Sequence, residues 1–304
     1  MSEDTAQGAL HNPPSDAPPA AQTGEGLPAL VLVSTPIGNL QDLSGRARTI
    51  LSGVNAILCE DTRTSAVLLR AYGITQKCIA LHEHNESAAL PRLVEAMQSG
   101  QRFALISDAG TPLVSDPGYR LVRAAIEAGL SVSGVPGPNA AVLALTLSGL
   151  PPQPFLFTGF LPPKSGARRA AMAGLRGAEL VGLSATHIFY EAPHRLAEFL
   201  ADAAAAFGPR QAAVCRELTK HFEEVRRGTL DELAAHYAAE QARGEIVVVI
   251  GPPGEEHTGA ESLDEALRTA LKGMSVKDAA ASVAAATGLP KKQVYKRALE
   301  LAAG

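Results

Sequence analysis

Five short apolar runs, each followed by a turn-rich loop and a helical pattern, constrain the fold of this chain more than any other feature. Unbroken runs of this length are typical of strands buried on both faces, and helices between successive strands are typical of a parallel sheet. The predicted strands are 29–33, 56–59, 78–81, 103–106 and 131–135, and the helices lie near 46–51, 64–72, 87–98, 119–128 and 140–147. The sequence therefore predicts an N-terminal α/β domain over residues 28–150, with helices on both faces of a parallel sheet.

A second domain is predicted where three prolines within 151–154 interrupt this pattern. Its segments are less regular and mix strand-like with helix-like patterns. We predict strands at 155–161, 186–191 and 245–250, helices at 165–176 and 195–207, and a hairpin that pairs 212–218 with 221–227. This mixture indicates an α+β domain over residues 151–254.

The two ends of the chain differ from the middle in composition. Residues 1–27 are rich in Pro and Ala, contain four acidic residues and no Lys or Arg, and are predicted to be a disordered tail. Residues 255–304 are predicted to be a small module of three short helices, with seven Lys or Arg against four Asp or Glu over 262–304. Because the tail carries the whole net charge of −4, the rest of the chain is formally neutral. Any binding of a polyanion must therefore depend on local basic patches.

Composition also excludes several classes of protein. The apolar stretches end well short of a membrane span, and the amino terminus lacks the pattern of a secretion signal. The three cysteines are far apart and lack metal-ligand spacing, so we predict a cytoplasmic protein without a membrane segment. The first loop contains Gly38 but no GxGxxG, and the chain has no GxxxxGK[ST]. A nicotinamide oxidoreductase is therefore the least favoured function.

Polar residues follow the predicted strands of the first domain at 34–42, 60–63, 82–86, 107–112 and 136–139. The carboxyl ends of parallel strands share one edge of a sheet, where open α/β proteins bind ligands. His82 and His84 lie on one side of an extended segment, but a third ligand is missing, so we predict no metal. The segment 60–63 fits an internal ion pair as well as a catalytic role, and both interpretations stay open. The pattern Ser-Asp-Pro-Gly at 115–118 predicts a helix cap with Pro117 in the first turn.

A second acidic candidate lies at the strand-to-helix junction 189–195. Glu191 could cap the following helix, hold Arg195 or face a cleft. The sequence does not decide between these three roles.

Six short motifs in one order carry a resemblance to a known family. The chain resembles the bacterial small-subunit (16S) ribosomal RNA (cytidine-2′-O)-methyltransferases, within the tetrapyrrole (corrin/porphyrin) methylase superfamily. The motifs are 34–40, 60–63, 107–112, 135–140, 189–195 and 243–251, and the resemblance covers about residues 28–304. It implies two α/β domains with the cofactor cleft between them and a small C-terminal helical module. It also implies a homodimer that uses S-adenosylmethionine and acts on 16S ribosomal RNA or the 30S subunit.

The resemblance assigns cofactor contacts to four segments. The first segment is the loop after the first strand. The loop after the fourth strand is expected to touch the methionine end of the cofactor mainly through backbone groups, the proline-glycine turn flanks the cofactor, and the late strand lies near its adenine. The residues that match these segments are Pro36 and Gly38, then Asp108, Ala109, Gly110 and Thr111, then Pro136, Gly137 and Asn139, and finally Gly244, Glu245 and Ile246.

The chemistry requires a ribose hydroxyl, a weak acid, to approach the methyl group in line, helped by a base or a nearby cation. The candidates are Glu60, Asp61, His84, Glu191 and Arg195, and the sequence does not choose among them. Basic residues predicted to hold RNA phosphates are Lys164, Arg168, Arg169, Lys291, Lys292, Lys296 and Arg297. Two alternatives are a tetrapyrrole methylase of the same superfamily and a non-catalytic RNA-binding factor of ribosome assembly.

Overall fold

The computed structural model of the chain describes residues 26–180, 182–254, 259–287 and 289–302. The predicted disordered tail therefore lies outside the described residues, apart from Gly26 and Leu27. The chain forms two compact units. The first contains the chain up to Val33, Ser44–Ile106 and Gly118–Val135, and the second contains Ser34–Leu43, Ser107–Pro117 and the chain from Pro136 onward.

The first unit contains the predicted parallel sheet. Its strands are β1 (Leu30–Val33), β2 (Ala56–Cys59), β3 (Lys77–Ala80), β4 (Phe103–Leu105) and β5 (Val132–Val135). They pair in the order β3-β2-β4-β1-β5, and each pairing between these described strands is parallel. The central strands β1, β2 and β4 are almost entirely buried, which explains their unbroken apolar runs.

Four helices connect these strands: α1 (Gly45–Gly53), α2 (Thr62–Ala71), α3 (Glu83–Gln98) and α4 (Tyr119–Glu127). The Ser44 hydroxyl accepts from the amide of Ala47 at 3.1 Å and so caps α1. The predicted cap of α4 is wrong. Gly118, in a left-handed conformation with φ of +119°, precedes this helix, and within the described residues no side chain caps it. Because the backbone of Ser115 is itself left-handed, the segment before Gly118 follows a separate turn and Pro117 lies outside the helix.

The second unit is built on a mixed sheet of β6 (Phe155–Phe160), β7 (Thr186–Glu191), β8 (Gln211–Arg216), β9 (Glu224–Thr229) and β10 (Ile246–Ile250). The order is β6-β7-β10-β8-β9. Among the described strands, β6 and β7 pair in parallel and the other neighbours are antiparallel. The predicted hairpin is confirmed as β8 and β9, which are joined by the loop 217–223.

Helices cover both faces of the second sheet. They are α5 (Ala140–Ser148), α6 (Ser165–Leu180), α7 (Leu196–Phe207) and α8 (Leu230–Ala239). Alternate residues of β10 enter opposite cores. Val248 packs with Phe199 of α7, whereas Val247 and Val249 pack with Ala144 of α5. The buried strand predicted at 245–250 is therefore confirmed, and burial on both faces explains its composition.

The C-terminal residues form the three predicted helices, α9 (Gly259–Leu271), α10 (Val276–Thr287) and α11 (Lys291–Ala302). They share a small core of their own that contains Leu267, Val283 and Val294. Arg297 joins α11 to α9, since its Nε lies 2.6 Å from Oδ1 of Asp264. Among the described helices of the whole chain, none is long and apolar enough to cross a membrane.

Two buried ionic groups anchor α6. The carboxylate of Glu179 accepts from His187 and from Arg210, each at 2.8 Å, and from Arg176 at 3.0 Å. Burial opposes ionisation of Glu179, but these donors prevail and lower its pKa to about 2. The three partners come from α6 itself, from β7 and from the residue before β8, so the group connects the helix to the sheet.

The second ionic group corrects one of the predicted RNA contacts. Arg168 is fully buried, and its Nε donates to Oδ2 of Asp202 on α7 at 2.8 Å. Its Nη1 donates to the carbonyl of Pro163 at 3.3 Å. The prediction that Arg168 holds an RNA phosphate is wrong, because its guanidinium already fixes α6 to α7. The neighbouring Lys164 and Arg169 are exposed.

Candidate functional site

A cavity of about 320 Å³ opens in the second unit, and each described residue that lines it belongs to that unit. This volume is at the lower end of the range typical of small-molecule sites. Its walls are mostly apolar and come from loop 34–43, loop 107–117, the start of α5, the ends of β6 and β7, β8 with its turn, and the start of β10. The lining residues are Ile37, Ala109–Thr111, Val114–Asp116, Asn139, Ala140, Phe160, Tyr190–Pro193, Cys215, Leu218 and Gly244–Val247.

Loop 107–117 is held by a short backbone bridge to the loop that follows β1. The amide of Thr35 donates to the carbonyl of Gly110 at 2.8 Å, and the amide of Gly110 donates back at 3.1 Å. The hydroxyl of Thr35 also donates to the carbonyl of Ser107 at 3.2 Å. Gly110 has a φ of +83°, which glycine adopts without the strain that a side chain would add. The backbone at 109–111 is therefore presented to the cavity in one fixed shape.

Asn139 couples this loop to α5. Its Oδ1 accepts from the amide of Val142 at 3.1 Å and caps the helix, and its Nδ2 lies 3.3 Å from the hydroxyl of Thr111. Thr111 donates in turn to the carbonyl of Pro138 at 3.0 Å. The arrangement places Ala140, the first residue of α5, in the cavity wall. The positive end of a helix dipole then favours a negatively charged group of a ligand.

The second half of the loop has a strained backbone. Leu113 and Ser115 have φ of 71° and 68°, which non-glycine residues adopt at a cost of about 1–3 kcal/mol each. Gly159, at an irregularity of β6, makes room for this conformation, because a Cβ on Gly159 would lie 2.9 Å from the hydroxyl of Ser115. Asp116, the residue after Ser115, lines the cavity.

Tyr190, at the end of β7, forms an aromatic wall. Its ring lies edge-on to Phe157 and Phe160, with centroids 4.9 and 5.5 Å away. Burial raises the pKa of its phenol. The backbone amide of Ala141 donates to the phenol oxygen and opposes this rise, whereas the negative charge of Asp116 raises the pKa further. Tyr190 is thus a neutral phenol at physiological pH, with Asp116 close enough to affect its ionisation.

Buried Glu191, which lines the cavity, pairs with half-buried Arg195. Oε1 of Glu191 accepts from the amide of Ala192 at 2.7 Å, and Oε2 accepts from Nη2 of Arg195 at 3.1 Å. The same Nη2 donates to the carbonyl of Leu161 at 3.0 Å. Of the three roles that the sequence left open for Glu191, holding Arg195 is the one that the contacts support most directly. Both carboxylate oxygens already accept from groups of the chain.

The segment before β10 is fixed by a second ionic group. Oε1 of Glu217 accepts from the amide of Glu245 at 3.1 Å and from Nζ of Lys220 at 2.8 Å. Lys220 also lies 2.9 Å from Oε2 of Glu245. The hydrogen bond from Lys220 lowers the pKa of Glu217, which is therefore ionised near neutral pH. This group gives the backbone at 244–246 a defined position beside the cavity.

The structure brings together part of the predicted site. The predicted residues that line the cavity are Ala109, Gly110, Thr111, Asn139, Glu191, Gly244, Glu245 and Ile246. Six further predicted residues in the described part of the chain are close in sequence to lining residues but do not line the cavity themselves. They are Pro36, Gly38, Asp108, Pro136, Gly137 and Arg195. The roles of both groups stay predictions.

Three catalytic candidates belong to the first unit, outside the residues that form this cavity. Asp61 caps α2 by accepting from the amide of Arg63 at 2.8 Å, and it also pairs with that guanidinium at 3.0 Å. The hydrogen bonds from Arg63 lower the pKa of Asp61, which favours the ion-pair interpretation of this segment. Glu60 and His84 are exposed. Among the described residues, no group of three or more His, Cys, Asp or Glu could hold a metal ion.

Of the basic residues predicted to hold RNA, those on α11 differ in their surroundings. Lys291, Lys292 and Lys296 are exposed. Arg297 is half-buried and pairs with Asp264 and with Glu300. The three lysines therefore present charge to solvent, whereas Arg297 has a structural contact.

Sequence reasoning missed Asp116, Tyr190, Phe160 and Cys215 as cavity residues. The repeat of Ser-Asp at 107–108 and 115–116 was a usable signal for Asp116, but a helix cap explained it equally well. Tyr190 lies inside one of the six motifs, next to Glu191. Cys215 gave no signal, and burial raises the pKa of its thiol to about 12, so it is an unreactive part of the wall.

Comparison with known proteins adds independent information. The family model of the tetrapyrrole (corrin/porphyrin) methylases matches residues 29–234, and that of the RsmI C-terminal HTH domain matches residues 256–302. A protein of Mesorhizobium japonicum named ribosomal RNA small subunit methyltransferase I is 50% identical over 276 residues, which cover 90% of this chain and 92% of that protein. A Xylella fastidiosa protein of the same name is 46% identical, over 88% of this chain and 97% of its own.

A solved structure shows the same fold. The crystal structure of uroporphyrin-III-C-methyltransferase from Thermus thermophilus is similar with a TM-score of 0.50 and 20% sequence identity. The similarity covers 77% of this chain and 96% of that one. The predicted fold of two α/β domains with C-terminal helices is confirmed.

Proposed function

The chain belongs to the tetrapyrrole (corrin/porphyrin) methylase family, and we propose that it is an S-adenosylmethionine-dependent methyltransferase acting on ribosomal RNA. The proposed acceptor is the ribose 2′-hydroxyl of a cytidine in small-subunit (16S) RNA. The observation that carries the proposal is the similarity to two proteins named ribosomal RNA small subunit methyltransferase I, at 46–50% identity. Because that similarity spans about nine-tenths of the chain, it includes residues of the cavity, the strained loop and the terminal module.

The cavity fits S-adenosylmethionine in its chemistry. The cofactor has an apolar purine, a carboxylate and a positively charged sulfonium. The cavity offers apolar walls, the positive end of α5 at Ala140, and the carboxylate of Asp116. By resemblance, the backbone of 109–111 holds the methionine end and 244–246 holds the adenine. When bound, the cofactor supplies a methyl group on an electrophilic sulfonium.

The contribution of the chain is mainly positioning. The bridge between Thr35 and Gly110, the cap at Asn139 and the ionic group at Glu217 fix three walls of the cavity before any ligand binds. Preorganised walls lower the entropy cost of bringing the acceptor oxygen and the methyl carbon into line. Buried apolar side chains of the wall such as Leu218 and Val247 keep water away from the reacting groups.

The proposed RNA contact is the exposed lysine group of α11, Lys291, Lys292 and Lys296. Since the chain beyond the acidic tail is formally neutral, local charge of this kind is needed to hold phosphates. A tetrapyrrole is small enough to be held within one cavity, so a separate helical module with three exposed lysines favours RNA over this alternative.

Replacing Lys291, Lys292 and Lys296 together by Ala is expected to weaken RNA binding by about tenfold or more at moderate salt. Each lost phosphate contact also reduces the slope of log affinity against log salt by about 0.7–0.9. Filter binding to 16S RNA at several salt concentrations measures both. The matched control replaces three exposed basic residues of the first unit, Arg48, Lys77 and Arg92. Equal losses in both triple variants would show a diffuse charge effect and contradict the assignment of α11.

The function itself is tested by incubating the protein with labelled S-adenosylmethionine and 30S subunits or 16S RNA that lack the modification. Digestion to nucleosides is expected to give label in 2′-O-methylcytidine. Label in a base, or label in a tetrapyrrole and none in RNA, would contradict the proposal. Absence of cofactor binding in a calorimetric titration would favour the non-catalytic assembly factor. The proposal includes action in the cytoplasm and assembly into a homodimer. Sedimentation of the purified protein checks the dimer.

A further inference from the structure

Phe160 differs from the other large apolar residues of the cavity wall. It lines the cavity and is 57% exposed, whereas Ile37, Leu218 and Val247 in the same wall are buried. A single exposed apolar residue is ordinary on a protein surface. Phe160 is unusual because its exposed ring borders an apolar cavity, where a ligand could cover it.

An irregularity of β6 places Phe160 in this position. Phe157 and Phe160 are three residues apart, so in a regular strand their side chains would lie on opposite faces of the sheet. The register shifts by one residue between Phe157 and Gly159, with the result that Phe157 pairs with Ile188 and Phe160 pairs with Tyr190. Both phenylalanine rings therefore contact the ring of Tyr190, at 4.9 and 5.5 Å between centroids. Bulges of this kind redirect side chains beside active sites.

The segment after β6 is held from two sides. Nη2 of Arg195 donates to the carbonyl of Leu161 at 3.0 Å. Nη1 of the fully buried Arg168 donates to the carbonyl of Pro163 at 3.3 Å. The next residue, Lys164, is exposed. The backbone between the last ring of β6 and this lysine is thus fixed by two hydrogen bonds, and an aromatic face and a cation are presented four residues apart.

An aromatic face beside a cation matches the chemistry of a nucleotide. Proteins that recognise single-stranded RNA stack its unpaired bases on aromatic side chains, and lysines meet its phosphates. The base and the phosphates lie on either side of the ribose. Holding both of them would therefore position a ribose hydroxyl at the cavity without occupying the hydroxyl itself.

We propose that Phe160 is the platform on which the base of the acceptor nucleotide stacks, with the charge of Lys164 facing the RNA backbone. This inference rests on the proposed function and adds the acceptor subsite to it. The edge-on contact with Tyr190 keeps the ring of Phe160 in place, so little side-chain freedom is lost when a base covers it.

Replacing Phe160 by Ala is expected to raise the KM for 16S RNA that lacks the modification by about 5- to 100-fold, the range for loss of one base stack. The value of kcat is expected to change little, because stacking acts on the ground state and the transition state alike. F160Y keeps the aromatic face and restores most of the affinity, whereas F160L keeps apolar volume alone and does not. The matched control is F155A, since Phe155 is an exposed residue of the same strand outside the cavity lining.

Cofactor binding and folding are measured on the same variants. Calorimetry is expected to give F160A the wild-type affinity for S-adenosylmethionine, and thermal unfolding shows whether each variant is folded. A loss of cofactor affinity as large as the rise in KM would show that Phe160 belongs to the cofactor site, and would overturn the proposal. A wild-type KM in F160A, or equal KM values in F160L and F160Y, would overturn it too.

A fluorescent variant tests the stack without any measurement of activity. The chain contains no Trp, so F160W carries a single reporter at the platform. Unmodified 16S RNA is expected to quench its emission by stacking, whereas inorganic polyphosphate, a polyanion without bases, is not. F155W is the control and is expected to respond to neither. Emission from F160W that RNA leaves unchanged, or that polyphosphate quenches equally, contradicts stacking.

The proposed function and this inference can fail separately. If the wild-type protein forms no 2′-O-methylcytidine, the proposed function fails, and the emission of F160W still shows whether RNA bases stack on this residue. If the wild type is active and F160A has the same KM for RNA, only the role of Phe160 fails.

Discussion

Replacing Glu179 by Gln is expected to lower the free energy of unfolding by about 3–5 kcal/mol. The side chain of Glu179 is fully buried, and its partner Arg210 is 5% exposed. A neutral amide leaves the guanidinium of Arg210 buried without its counter-charge, and it replaces one of the two acceptor oxygens by an NH2 group that faces other donors. Urea unfolding at pH 7 measures the change. The exposed pair of Glu240 and His236 provides the control, since E240Q is expected to cost less than about 1 kcal/mol.

The same carboxylate makes stability depend on pH. Its pKa is about 2 in the folded protein against 4.5 as the reference value. A lowered pKa contributes stability that is fully present above about pH 4.5 and is lost as pH falls towards 2, by about 3 kcal/mol in total. The wild type is therefore expected to lose more stability than E179Q between pH 5 and pH 2.5. Parallel losses in the two proteins, or a change below 1 kcal/mol in E179Q at pH 7, would contradict the assignment.

Replacing Gly110 by Val is expected to lower the affinity for S-adenosylmethionine by about 100-fold. A Cβ at this position would lie 3.2 Å from Cγ2 of Ile37 and 3.6 Å from the carbonyl oxygen of Pro138. A left-handed backbone costs a residue with a side chain about 1–2 kcal/mol, and overpacking adds about 1–3 kcal/mol. Each 1.4 kcal/mol by which the substitution destabilises the cofactor-bound state lowers the affinity tenfold. Isothermal titration with the cofactor measures the loss.

The matched control for this variant is Gly129→Val. Gly129 has a φ of +71°, and a Cβ there meets no described atom within 4 Å. The two variants therefore share the backbone strain and differ in the contact with Ile37. Gly129→Val is expected to bind the cofactor within about twofold of the wild type, although both variants lose stability. Equal affinities in Gly110→Val and Gly129→Val would show that the loop at 109–111 does not hold the cofactor.

Local patterns were sufficient for most elements of the fold. The run 245–250 predicted a strand buried on both faces, and β10 has its side chains in two separate cores. The hairpin at β8 and β9 and the three terminal helices were predicted in the same way. These predictions were successful because hydrophobic burial imposes a period on the sequence that can be counted without knowledge of the partner.

Charged residues show where local patterns fail. Arg168 and Arg169 are adjacent in one helical segment and look equivalent in sequence, yet one is fully buried against Asp202 and the other is exposed. Asp116 follows a serine and precedes a proline, as a cap does, yet it lines the cavity. In both cases the deciding neighbours are distant in the chain: Asp202 lies 34 residues from Arg168, and Tyr190, which lines the same cavity as Asp116, lies more than 70 residues from it.

The alternation of strands and helices, the carboxyl-edge loops and the family could all be recognised from the amino-acid sequence, because each depends on short segments or on motifs in order. Which charged side chains pair inside the fold and which line the cavity became clear from the three-dimensional contacts. Pairing of a buried charge depends on distances between side chains that the fold brings together, and those distances leave no period in the sequence. The different surroundings of Glu179 and Glu191 could therefore be recognised only once their partners were known.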